Sequence, residues 1–140
     1  LEILNIKNDT SFEEIRDSAL RGQAKKVNKL LSEIDIQQED SFYYLNSLNY
    51  RILKLLEIQK ISKTINNYEK TLENLKPAIF WKDKPIYLEQ LRKWNLRTLN
   101  KISSEIGEAE ILMKKNSTIR NDVVIKNLII TVTENASTSF

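Results

Sequence analysis

Two glycines and two prolines in 140 residues are too few for a fold rich in tight turns. A β-sandwich or barrel reverses direction every few residues. Its turns draw on Gly for positive φ and on Pro for a fixed φ. A chain of long helices needs few reversals, so the scarcity predicts an all-α fold. The length fits one domain, large enough to bury a core without metals or disulfides.

Apolar spacing divides the chain into about seven helices, packed as a single irregular bundle. Residues 1–9 mix apolar and polar types without a sustained period and read as a connector. Thr10 and Glu13 then fit a capping box, and Phe12, Ile15 and Ala19 share one face up to Gly22, which suits a left-handed helix end. A second helix spans about Gln23 to Ile34. The third and longest, from about Ser41 to Lys60, carries Phe42, Leu45, Leu48, Ile52, Leu55 and Leu56 at three- and four-residue steps. Shorter helices are expected over Ile65 to Leu75 and, with Pro85 in the first turn, Ile86 to Trp94. A sixth runs from about Leu96 to Lys115. The segment Asp122 to Thr133 is β-branched and strand-like by propensity, but an isolated strand is unstable, so it is read as a helix. The helical domain is therefore placed at 10–134, with a flexible tail at 135–140. No heptad pattern persists, which argues against a coiled coil.

The chain has no Cys and no His. A Cys/His zinc site, a Ser-His-Asp triad and a thiol nucleophile are therefore excluded within it. Its only glycines, Gly22 and Gly107, cannot build either glycine-rich phosphate loop. Acidic pairs such as Glu13–Glu14, Glu39–Asp40 and Glu108–Glu110 sit near helix starts or on polar faces, where solvated surface charge is the ordinary role. The expectation is a non-catalytic domain without cofactor or metal. No apolar run is long enough for a membrane span and no leader is visible, so a cytoplasmic location is expected. The start at Leu1 reads as a fragment of a longer protein.

The strongest charge feature is the segment 76–101, with seven cationic and two acidic side chains in a chain whose net charge is only +3. Phe80, Trp81, Tyr87 and Trp94 are interleaved with the cations. This mixture suits phosphate contacts and base stacking. It equally suits a protein interface with aromatic and Arg anchors, or core aromatics beside a solvated basic face. Trp81, Arg92, Trp94 and Arg97 are the candidate interface residues.

Three stretches resemble the C-terminal domain of bacterial DNA polymerase III delta subunits. The first is Phe12 followed by Asp17-Ser18-Ala19-Leu20-Arg21-Gly22, Ala24-Lys25-Lys26-Val27 and Leu30-Leu31, with Ser18 inserted where the family often has Asp-Ala directly. The second runs from Leu45 through Tyr50-Arg51-Ile52 to Leu55. The third is Pro77-Ala78-Ile79-Phe80-Trp81-Lys82 followed by Leu91-Arg92-Lys93-Trp94 and Leu96, with Glu108-Ala109-Glu110 and Lys114 closing the next helix. The resemblance implies a collar domain of the sliding-clamp loader, which joins delta to the tau/gamma and delta-prime subunits. A clamp-opening, AAA+-like N-terminal region would lie upstream and would alone touch the clamp. The parent would fall under DNA-directed DNA polymerase, a transferase, only through its holoenzyme. Contact with primer-template DNA stays open, as does a second reading, a helical nucleic-acid-binding module using 76–101. An apolar interface left without its partners is also prone to self-association.

Overall fold

The computed structural model describes residues 12–115 and 118–138. The expected connector and the Thr10 cap lie outside them. Among the described residues the chain forms seven α-helices and no strand: α1 (12–20), α2 (Ala24–Glu33), α3 (Ser41–Ile65), α4 (Tyr68–Asn74), α5 (Lys84–Lys93), α6 (Leu96–Lys114) and α7 (Asn121–Thr138). Single 3-10 turns at Gln38–Asp40 and Trp81–Asp83 lead into α3 and α5.

Helix α3 is the axis of the bundle, packing against α4, α5, α6 and α7. Leu45, Leu48, Ile52, Leu55 and Ile58 are fully buried along it. Each such side chain contributes about 1.5–3 kcal/mol relative to exposure. Leu99, Ile102 and Ile106 of α6 and Ile125, Ile129 and Val132 of α7 complete the same core. The segment of ambiguous propensity is thus a helix. Its β-branched residues find partners on α2, α3 and α6, and tertiary packing outweighs their strand preference.

Two helix ends differ from expectation. Helix α3 continues past Lys60 to Ile65 and stops where Asn66 takes the left-handed conformation at φ 56°. Helix α7 continues through Thr138, so residues 135–138 are not a flexible tail. Ala136 is fully buried, and the backbone at Ala136 and Ser137 lies against Gly22. Gly22 has φ 74°, and a Cβ there would sit 2.9 Å from the Ser137 nitrogen. The glycine that ends α1 also lets the end of α7 approach.

Candidate interaction surface

The side chains of the basic segment divide between the interior and the surface. Trp94, a candidate interface residue, belongs to the core. It is 1% exposed, and its indole Nε1 donates to the Leu20 carbonyl at 2.8 Å. A buried indole N–H requires an acceptor, and the end of α1 supplies it. Trp94 therefore cannot meet a partner directly.

Trp81 behaves oppositely. The connection from α4 to α5 passes through a cis Lys76–Pro77 bond, and Ile79 tucks against the core. The turn Trp81–Asp83 then projects outward, leaving Phe80 58% and Trp81 67% exposed. The two rings lie 5.9 Å apart at 53°, and Lys82 Nζ sits 5.4 Å over the Trp81 ring. That distance is within cation–π range. Lys76 is also exposed. The result is an apolar knob edged with positive charge.

Arg92 and Arg97 are exposed at the α5–α6 junction. Trp81 precedes α5, whereas Arg92 lies in its last turn, so the length of a ten-residue helix, about 15 Å, separates them. The structure brings the two arginines to one end and leaves Trp81 at the other. Arg92 and Lys93 face the carbonyl end of α5, where cations are favoured without any partner.

Beneath this surface lies a polar network. Arg16 Nε and Arg51 Nη1 reach Asp17 Oδ1 at 2.9 and 3.0 Å. Arg51 Nη1 also donates to Gln90 Oε1 at 2.9 Å, while Gln90 Nε2 donates to the Asp17 carbonyl at 3.2 Å. The Arg51 guanidinium lies 4.2 Å over the Tyr87 ring. Burial pulls the Arg51 guanidinium below its ordinary range, with Asp17 opposing that shift. Burial likewise pushes the Tyr87 phenol up, against the pull of Arg51. Helices α1, α3 and α5 are locked together by this contact.

Gln59 makes a second tie. Its Nε2 donates to the Leu91 and Trp94 carbonyls at 3.0 and 2.7 Å, and its Oε1 accepts from the Tyr68 hydroxyl at 3.2 Å. It thereby satisfies carbonyls that the end of α5 leaves open. Neither network stood out from spacing alone. A Gln or Arg on the apolar side of a long helix is the signal that was available.

Among the described residues, no group of three His, Cys, Asp or Glu side chains is arranged to hold a metal ion. No helix among them is long and apolar enough to cross a membrane. Comparison with family models, curated proteins and solved structures finds no match to the chain.

Proposed function

We propose that the chain is a non-catalytic assembly domain, the collar portion of a DNA polymerase III delta subunit, holding delta beside the tau/gamma and delta-prime subunits. One observation supports this reading most. Asp17, Arg51 and Trp94 come from the three separate stretches that carry the resemblance, and each ties α1 to α3 or to the end of α5. Residues that mark a family by sequence and meet in the interior are those expected of a shared scaffold. The assembly role would fall to the surface this scaffold presents, with Trp81 as an anchor and Arg92 and Arg97 at the opposite end of α5.

Size-exclusion chromatography with light scattering, mixing the chain with tau/gamma and delta-prime subunits of the same organism, tests the reading. Co-elution that persists at high salt is expected of an apolar subunit contact. Failure to co-elute at any salt concentration sinks it.

A second reading rests on the exposed Trp81 with Lys82 over its ring. Such a pair suits base stacking beside a phosphate. Binding to single-stranded DNA would then weaken with a log–log slope of about −0.7 per phosphate neutralised. Salt-sensitive DNA binding without subunit co-elution would favour this reading over the first.

A further inference from the structure

The chain carries two surface features of opposite charge that its own fold leaves unused. One is the Phe80–Trp81 knob, flanked by the exposed Lys76 and Lys82. The other is a groove of about 290 Å³ between α6 and α7. Ala109, Val124 and Leu128 are buried along it, and Leu112 is half-buried. Glu105 and Glu108 line it, and no Lys or Arg does. Glu105 Oε2 is shielded from solvent with no hydrogen-bond partner. Among the described residues, neither glutamate is in an ion pair. Small-molecule sites usually begin near 300 Å³. The groove is large enough to take an anchoring aromatic side chain.

We propose that the Phe80–Trp81 knob of one copy seats in the α6–α7 groove of a second copy, with its lysines facing Glu105 and Glu108. Apolar surface meets apolar surface, and each charge meets its opposite. The knob precedes α5, the groove belongs to α6 and α7, and α3 packs against all three helices. Two different patches therefore meet, so two copies can either exchange knobs reciprocally or add head-to-tail. A reciprocal exchange closes as a dimer, whereas head-to-tail addition continues into rings or filaments. Nothing in this inference depends on the clamp-loader reading, and its test contains no other subunit.

Sedimentation velocity over a concentration series at low salt reads the outcome. The wild-type chain is expected to grow beyond the monomer as concentration rises. Trp81→Ala removes the anchor, and loss of a hot-spot aromatic weakens association by about 30-fold. Glu108→Lys, at an exposed position, repels the incoming lysines. Helical circular dichroism confirms that both variants fold. The decisive sample is their equimolar mixture. Trp81→Ala retains an intact groove and Glu108→Lys an intact knob, so the mixture forms pairs and stops there. A wild-type chain that stays monomeric throughout overturns the proposal. So does self-association unchanged in either variant, or a mixture that forms no pairs.

Discussion

At Asp17 one carboxylate oxygen lies within 3.0 Å of two guanidiniums, Arg16 and Arg51, in a site where little water reaches either partner. Forming such a pair adds little net stability, because desolvation offsets attraction. Breaking it strands a charge. Here Arg16 stays on Asp17, so Arg51→Ala should destabilise the fold by about 1–3 kcal/mol, the range for a buried acceptor left without its donor, measured as a lower midpoint in urea. Asp17 is then left to Arg16 alone, and Gln90 Oε1 loses its donor. Tyr87 makes the same site sensitive to alkali. Its phenol keeps its proton to higher pH in the folded chain than its ordinary value of 10.0. That contribution is fully present below pH 10 and is lost as pH rises through the folded-state value. Arg51 acts in the opposite sense, since its lowered value leaves the unfolded chain binding more protons. Comparing Tyr87→Phe with wild type, both retaining Arg51, isolates the tyrosine. The variant's melting temperature should fall less steeply above pH 10. None of this was legible in the sequence, where Asp17 and Arg51 stood out only through the resemblance. Partners 34 positions apart have no shared periodicity to reveal them.

Helix ends show where local chemistry is readable and where it is overruled. Asn66 and Asn67 divide α3 from α4. The first takes the left-handed conformation, and the second accepts from the Lys70 N–H through its side chain at 3.0 Å. Asn is the commonest non-glycine residue at such a left-handed end and among the best N-caps. The apolar pattern placed the break near Lys60, although Ile58, Ile61 and Ile65 continue at three- and four-residue steps; in the structure Ile61 and Ile65 are exposed. The end of α7 failed for a different reason. Asn135, Ser137 and Thr138 read locally as fraying, yet Ala136 between them is sealed against the α1–α2 turn. That burial depends on Gly22, which sequence alone identified only as a helix stop. Gly22→Ala forces a non-glycine residue into the left-handed region, costing about 1–2 kcal/mol, and drives its Cβ into the α7 backbone as well. Thermal denaturation should show a loss at least as large as that conformational cost. Hydrogen exchange should show the last turn of α7 losing protection first. Retained protection there would mean that Gly22 matters only as a turn residue.

Over the whole molecule, a legible interior is wrapped in a surface that the sequence sorted only in part. Helical periodicity found most of the core because burial repeats every three or four residues, and the core of one bundle follows directly from it. The basic segment gave no such guide. It grouped Trp81 and Trp94 as similar, although the chain turns one outward and the other inward. What separates them is tertiary: Trp94 finds the Leu20 carbonyl and Gln59 beside it, while Trp81 follows a turn that leaves the bundle. The contrast is measurable as stability. Trp94→Ala opens a cavity at the junction of α1, α3 and α5 and should cost about 3–5 kcal/mol. Trp81→Ala should change stability by no more than about 0.5 kcal/mol. Fluorescence reports the same division independently. The single tryptophan left in Trp81→Phe should emit at short wavelength and resist quenching by iodide. The one left in Trp94→Phe should emit at long wavelength and quench readily in dilute solution, where the chain is monomeric. If both single-tryptophan chains resist iodide alike while circular dichroism stays helical, Trp81 is covered in solution, and a covered knob in a pure sample points to the neighbouring copy as its cover.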